Sequence, residues 1–328
     1  MIPTNFEAPN LRHLQLSDLK LLPPSAQLLN DISTRPSIVS FSVGEITTKP
    51  ETFMACLALM PHLKVLKIGV FFSIPSEPTE RNERNLCAGS QAESDSLTLT
   101  DLEEFEFQGI TDYLEVLAAR ISAPFLKKLS ITVTNRVDDL EDLDTTTFKH
   151  FSRLISGAGD LAFQFARVRF KDGFSIVMDH NELWAGRGAF ELRFNNRGYH
   201  FQANVGLVAN ICRAVAPMPS TVQSLLVEDG NRNGWNPKPT RQGWFELLRL
   251  FDNVKTLRVA GRFVGELEKA LEPSANDQGS AALLPRLKEI VRYGPENEFA
   301  AFVQARSQVA GLPPVRVVSG PKNRLTLF

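Results

Sequence analysis

One spacing of apolar residues recurs along the chain: an apolar residue, two other positions, an apolar residue, one other position and a third apolar residue. The last two alternate with polar neighbours, as in Lys64-Val65-Leu66-Lys67-Ile68, which is typical of a half-buried strand. The first apolar residue anchors the turn that leads into the strand. The copies are Leu11/Leu14/Leu16, Ile38/Phe41/Val43, Leu63/Leu66/Ile68, Leu102/Phe105/Phe107, Leu126/Leu129/Ile131, Val222/Leu225/Val227, Val254/Leu257/Val259 and, more weakly, Leu287/Ile290.

Segments with apolar residues at helical spacing follow several of these predicted strands. We predict helices over 111–121, 148–159, 243–251, 264–271 and 296–310, and in the last of these we expect Arg306 to be partly buried. The copies at residues 126 and 222 are separated by a long gap, in which alternating apolar residues over 161–194 predict antiparallel strands. Lys171-Asp172-Gly173 is a plausible hairpin turn between two of them.

A strand, a loop and a helix repeated along the chain predict an α/β fold of a particular kind. The pattern is typical of an irregular solenoid similar to leucine-rich-repeat proteins, with stacked parallel strands and helices on the convex side. Regular leucine-rich repeats carry an asparagine after the strand, where this chain has Leu19, Ile46 and Phe71. The alternative is an ordinary α/β domain whose strands alternate with helices.

Three polar stretches interrupt the pattern, and we predict a single solenoid over 1–328 that carries them as loops. Residues 73–100 contain few apolar side chains to offset the entropy of ordering, so we expect a flexible polar insertion there. Segments 228–242 and 273–282 are predicted loops. A fourth segment, 138–144, is acidic, and we interpret it as a solvated loop in preference to a docking site for a basic partner.

Composition and local sequence argue against several classes of binding partner and cellular compartment. The 36 Lys and Arg nearly balance the 37 Asp and Glu, so we expect neither nucleic acid nor a membrane surface as a partner. The cysteines Cys56, Cys87 and Cys212 are far apart, which disfavours a disulfide framework. The N-terminus has no secretory signal, and no apolar run approaches the roughly 18 residues of a membrane span. We therefore expect a cytoplasmic or nuclear protein.

Candidate chemistry is scarce. None of the five histidines pairs with another histidine or a cysteine at zinc-ligand spacing. The glycines of 157–159 follow a predicted helix and precede a strand, the reverse of what a dinucleotide-binding loop needs. We found no Gly-x-Ser-x-Gly elbow and no phosphate-binding loop of the Walker type. We expect no catalytic, cofactor or metal site, and hence no enzyme.

Several segments resemble a known family. Segments 11–17 (Leu-Arg-His-Leu-Gln-Leu-Ser), 251–259 (Phe-Asp-Asn-Val-Lys-Thr-Leu-Arg-Val), 284–290 (Leu-Pro-Arg-Leu-Lys-Glu-Ile) and 299–314 look like the repeat region of fungal, basidiomycete-type F-box proteins. In that family an N-terminal F-box docks on the adaptor of a cullin–RING ubiquitin ligase, and the repeat region presents the substrate. This chain opens in the first repeat, so either its gene model is truncated or the protein keeps the substrate-recognition region without the F-box, and the resemblance does not extend to adaptor binding.

The predicted geometry also nominates contact residues. Polar residues that flank the buried ones would point outward from the strands, and Arg167, Arg169 and Lys171 would form a solvated face or a small basic patch. A further candidate, Trp235, is an aromatic residue in a polar loop. The partner-binding candidates are His13, Gln15, Lys67, Glu104, Glu106, Gln108, Lys128, Arg258, Tyr293 and Trp235, with Ser224 and Glu228 on the same outward side. The alternatives are a repeat scaffold unrelated to ubiquitin transfer and an α/β enzyme.

Overall fold

The chain forms two compact units of mixed α/β structure in a computed structural model. Unit 1 contains the described residues of 10–134 and 148–156, and unit 2 contains those from 162 onward. The prediction of one solenoid over 1–328 stays a prediction. The structure describes residues 10–16, 37–44, 46, 49–70, 96–134, 148–156, 162–171, 173–180, 189–195, 205–214, 218–229, 240–261, 263–271, 283–293, 299–309 and 311–320.

Unit 1 has a parallel sheet with strand order β1-β2-β3-β5-β7. Two short strands, β4 and β6, pair in parallel beside it. The strands are β1 (His13–Leu16), β2 (Ser40–Val43), β3 (Val65–Gly69), β4 (Leu97–Thr98), β5 (Glu104–Gly109), β6 (Ile121–Ser122) and β7 (Lys128–Val133). The helices are α1 (Pro50–Leu57), α2 (Thr111–Arg120) and α3 (Lys149–Ser156).

Unit 2 has a mixed sheet with strand order β10-β9-β8-β11-β12-β13-β14. The last five strands in this order are parallel, whereas β8, β9 and β10 form the antiparallel meander predicted within 161–194. The strands are β8 (Phe165–Phe170), β9 (Gly173–Asp179), β10 (Phe190–Asn195), β11 (Ser224–Asp229), β12 (Thr256–Ala260), β13 (Glu289–Tyr293) and β14 (Arg316–Ser319). The helices are α4 (Val205–Ala214), α5 (Met218–Thr221), α6 (Arg241–Leu248), α7 (Phe263–Leu271) and α8 (Ala300–Ser307).

The entrances of most repeated strands are built in the same way. A tight turn brings the first apolar residue of the repeat to donate its N–H to the carbonyl three residues earlier, as Leu63 does to Met60. The carbonyl of the next residue then accepts two N–H groups from the neighbouring strand. The carbonyl of Lys64 accepts from Glu103 and Glu104, both at 2.9 Å. The same paired acceptance recurs at Arg12, Val39 and Glu103 in unit 1 and at Gln164, Gln223 and Lys255 in unit 2.

The apolar residues of the repeat pattern form the buried sides of the two sheets. All but the first copy are buried, whereas Leu11, Leu14 and Leu16 are half-buried. Helices cover the buried side, as contacts between aromatic residues of strands and helices show. The ring centroids of Phe41 and Phe53 lie 6.3 Å apart, and in unit 2 Trp244 packs edge-on against Phe170 and Phe263. Each sheet therefore has one covered face.

Half-buried glutamates on two helices attach the next helix along the chain. Glu115 on α2 accepts the N–H groups of His150 and Phe151, both at 2.9 Å, at the start of α3. Burial raises the pKa of Glu115 above its ordinary value. Glu268 on α7 likewise accepts the N–H of Phe299 at 2.6 Å, at the start of α8. These carboxylates replace partners that the first turn of a helix lacks.

Arg306 of α8 was predicted to be partly buried and is almost completely so, with 1% of its surface exposed. Its guanidinium donates to the carbonyls of Leu283 and Leu284 at 2.8 Å each and to that of Pro285 at 3.1 Å. Leu284 has a φ of 51°, a left-handed conformation that costs a non-glycine residue about 1–2 kcal/mol. Arg306 therefore holds a strained turn in place, and burial lowers its pKa.

The boundaries of the predicted loops need correction. Most of the predicted insertion 73–100 lies outside the described residues, but its end is ordered, because Leu97–Thr98 forms β4 and Leu99 is buried. The predicted loop 228–242 is shorter, since β11 runs to Asp229 and α6 begins at Arg241. Residues 230–239, the loop 273–282 and the acidic segment 138–144 lie outside the described residues.

Candidate interaction faces of the two sheets

Each sheet has an outward face, formed by the strand residues that alternate with the buried ones. In unit 1 the parallel register sets these residues side by side. Gln15, Ser42, Lys67, Glu106 and Ser130 form one row of consecutive partners across the sheet. A second row is His13, Ser40, Val65, Glu104 and Lys128. The predicted residues of unit 1 therefore share one surface; their binding of a partner stays a prediction.

Charges on the face of unit 1 pair with one another. The Nζ of Lys67 lies 3.0 Å from Oε2 of Glu106, and the Nζ of Lys128 lies 3.4 Å from Oε2 of Glu104. At the strand entrances Lys127 lies 3.0 Å from Glu103 and lowers its pKa through a hydrogen bond and its charge. Exposed pairs of this kind contribute about 0–1 kcal/mol each. Their main effect is to leave this face with little net charge.

On the outward face of unit 2, Arg258 and Tyr293 lie on the neighbouring strands β12 and β13. Arg258 is the register partner of Leu226 on one side and of Val291 on the other. Tyr293 stands beside Ala260. Gln108 lies on β5 of unit 1. The predicted partner-binding residues that the structure describes are therefore divided between two faces, one in each unit. Trp235 lies outside the described residues.

Glu228 was predicted to point into solvent and is instead buried, with 7% of its surface exposed. Its Oε1 accepts from Nε and Nη2 of Arg167 at 3.0 and 2.6 Å and lies 3.0 Å from Nε of Arg169. The cause is the parallel pairing of β8 with β11, which makes Arg169 the direct partner of Glu228. Ser224 on the same strand is also buried. Arg167 and Arg169 therefore form a charge cluster with Glu228, where the sequence favoured a solvated strand face.

A second buried carboxylate lies on the meander. Glu191 of β10 has 4% of its surface exposed and accepts from Nε of Arg193 at 2.6 Å. Arg193 is two residues further along the same strand, so its side chain lies on the same face. Both buried glutamates of this sheet are thus matched by arginine, as buried carboxylates generally must be.

Apolar residues at outward positions of β11, β13 and β14 were missed by the sequence reasoning. Leu226, Val291 and Val318 lie on β11, β13 and β14, and each is half-buried. Leu226 stands between two apolar residues, Leu225 and Val227, and Val291 and Val318 each follow one, Ile290 and Val317. Continuous apolar runs conceal which residue points outward, and only the strand register separates them.

Other reactive groups of the described residues are buried or scattered. Burial raises the pKa of the Cys212 thiol to about 12 and also raises that of Cys56. Within the described residues, no group of three His, Cys, Asp or Glu side chains could hold a metal ion. The described helices include none with the length and hydropathy needed to cross a membrane.

Comparisons with known proteins give no family. No protein family and no curated protein sequence matches the chain. A solved structure from Bacteroides fragilis is similar with 11% sequence identity and a TM-score of 0.36, over 94% of this chain and 66% of that protein, just under two thirds of its length. The leucine-rich-repeat-containing protein LegL7 from Legionella pneumophila is similar with 13% identity and a TM-score of 0.33, over 94% of this chain and 90% of its own. Neither similarity is high enough to transfer a property.

Proposed function

We propose that this chain is a non-catalytic protein-interaction module, a leucine-rich-repeat-like solenoid that binds another protein on the outward faces of its sheets. The observation that carries the proposal is the repeated strand entrance. At seven of these entrances the carbonyl accepts two N–H groups from the neighbouring strand, so those strands stack in one register. Their outward residues then form extended rows, the kind of surface that repeat proteins use for binding.

The two sides of each sheet differ in a way that supports binding on the outward side. One side is filled by the apolar residues of the repeats and covered by helices, as the contacts of Phe53 and Trp244 show. The other side carries the mixed charged and polar rows that begin with His13 and Gln15 in unit 1 and that contain Arg258 in unit 2. Rows of this length offer many contact points to a folded partner.

A narrower form of the proposal makes the bound protein the substrate of a ubiquitin ligase. It is supported by the sequence resemblance to the repeat region of F-box proteins alone. In this form the chain selects the protein to be modified, and docking on the ligase adaptor requires an F-box. The broader alternative is a repeat scaffold with no part in ubiquitin transfer.

Affinity capture with matched variants tests the broad proposal. The tagged full chain is used to capture proteins from a lysate of the organism that encodes it, in parallel with Lys67→Glu, Arg258→Glu and Lys269→Glu. Lys269 lies on α7 with 74% of its side chain exposed, so its variant makes the same charge change on the helical side. We expect a captured protein to be lost with Lys67→Glu or Arg258→Glu and kept with Lys269→Glu.

The same capture separates the two forms. Recovery of a cullin–RING adaptor with the wild-type chain would support the substrate-receptor form. A partner without the adaptor would support the scaffold. Equal recovery from all three variants would contradict binding through the outward faces.

A further inference from the structure

The two sheets can be compared position by position, because each repeated strand has one outward residue between its two buried ones. In unit 1 the residues at this position are Gln15, Ser42, Lys67, Glu106 and Ser130, all polar. In unit 2 the equivalent residues are Arg167, Leu226, Arg258, Val291 and Val318. The two faces share a geometry and differ in chemistry.

The face of unit 2 places apolar side chains where a solvated strand would carry polar ones. Leu226, Val291 and Val318 are half-exposed, and Tyr293 follows two residues after Val291 on the same side of β13. Strands in a sheet are about 4.8 Å apart, so the row from β11 to β14 spans roughly 14 Å. Apolar residues grouped on an outward face, with polar residues around them, mark an interaction site.

Arginines accompany these apolar residues and give the face a positive charge. On the five parallel strands, the outward side carries Arg167, Arg169, Arg258 and Arg316 against Glu228 and Glu289, so four positive and two negative charges leave +2. The meander adds Arg193, Glu191 and Asp179, which lowers the total to +1. On unit 1 the charges of Lys67 and Lys128 cancel those of Glu104 and Glu106.

Three of these arginines, Arg167, Arg169 and Arg316, are ion-paired before any partner arrives. Arg167 and Arg169 share the single oxygen Oε1 of Glu228, and Arg316 lies 2.7 Å from Oε1 of Glu289. One carboxylate between two guanidinium groups leaves the cluster positive. Because Arg167 and Arg169 are ion-paired and have only 12% and 28% of their side chains exposed, binding an anion would cost less conformational entropy there than on mobile lysines.

We infer that the outward face of unit 2, centred on Leu226, Arg258 and Val291, binds a segment of a partner protein in which acidic side chains stand beside aliphatic or aromatic ones. The carboxylates would meet the arginines, which recognise them bidentately, and the apolar side chains would cover the Leu226–Val291–Val318 row. This inference rests on the proposed function and assigns it to one unit and one partner chemistry.

Selection from a random library tests this chemistry. Phage-displayed 12-residue peptides are selected against the purified full chain, and the most enriched peptide is synthesised and titrated by fluorescence anisotropy. We expect enriched sequences to place Asp or Glu beside aliphatic or aromatic residues. The affinity should fall about tenfold or more with Arg258→Glu and with Val318→Glu, as for a residue near the centre of an interface. It should weaken with added salt and be unchanged by Lys269→Glu.

The outcomes separate this inference from the proposed function. Enrichment of peptides without acidic residues, binding insensitive to both Arg258→Glu and Val318→Glu, or no enrichment at all would overturn the inference. Loss of binding with Glu106→Lys alone would move the site to unit 1 and leave the proposed function standing. Thermal unfolding of each variant checks that it is folded. Because Arg258→Glu and Val318→Glu change different kinds of side chain, the test still stands if one of the two variants fails to fold.

Discussion

Replacing Arg306 with methionine tests how the last helix of unit 2 is attached. The substitution keeps a long unbranched side chain beside Phe302 but removes every donor to the turn at Leu283, Leu284 and Pro285. The strained Leu284 then loses the contact that holds its carbonyl. We expect α8 to detach more readily from unit 2 and the whole unit to lose stability.

The size of the effect follows from the three carbonyl acceptors. A buried acceptor left without a donor costs about 1–3 kcal/mol, and the bonds to Leu283 and Leu284 are fully buried. Removal of the buried positive charge offsets part of this loss, since burying an ion without a carboxylate is itself unfavourable. The free energy of unfolding should therefore fall by about 2–4 kcal/mol.

Urea unfolding measures this loss, and hydrogen exchange locates it. Amides of α8 should exchange faster in Arg306→Met than in the wild-type chain, because the local opening of this helix becomes easier. The matched control is Arg286→Met, the same change at an exposed residue of the same turn, which should alter stability by about 0.5 kcal/mol or less. Equal stability and equal exchange in Arg306→Met and Arg286→Met would refute the reasoning.

Three further predictions concern buried groups. Glu228→Gln should destabilise unit 2 by about 3–5 kcal/mol in urea unfolding, because it leaves the two guanidinium groups of Arg167 and Arg169 without their carboxylate. A change of less than about 1 kcal/mol would contradict this and would mean that solvent already screens these two charges. The raised pKa of Glu115 means that burial favours its protonated form, so its contribution to stability is present below its ordinary pKa near 4.5 and is lost as the pH rises through the raised pKa. Glu115→Gln should therefore become more stable relative to the wild-type chain as the pH rises above 4.5, and a pH-independent difference would contradict this. Cys212, with its pKa raised to about 12, should resist iodoacetamide at pH 8 until urea unfolds the chain, and mass spectrometry of the native protein would expose any early labelling.

Strand positions could be predicted well because they depend on a local pattern. The spacing around Leu66 and Ile68 places β3, and the same spacing places every repeated strand from β1 to β13. Helix α2 was also predicted within one residue, since its apolar stripe is regular. Helices α1 and α4 were not predicted. In α1, Phe53, Cys56 and Leu57 have helical spacing, but the helix is only eight residues long, so the stripe covers little more than one turn.

The chemistry of the outward faces could be predicted only in part. The polar face of unit 1 follows from alternation along single strands, so Lys67 and Glu106 lie where expected. Burial of Glu228 depends on Arg167, which is 61 residues earlier in the chain. That contact is set by the antiparallel meander, which turns the sheet so that β8 rather than β10 pairs with β11. The order of the strands in the sheet cannot be predicted from the residues around any single strand.

The paired acceptance at carbonyls such as those of Lys64 and Gln223 has a consequence for how chains of this kind can change in length. Seven strand entrances with different side chains offer the neighbouring strand the same backbone junction. A complete repeat can therefore be duplicated or deleted during evolution while the remaining junctions close as before. A gain or loss of one residue inside a strand would instead move the buried set of side chains to the other side, so length variation should be confined to the connections between strands.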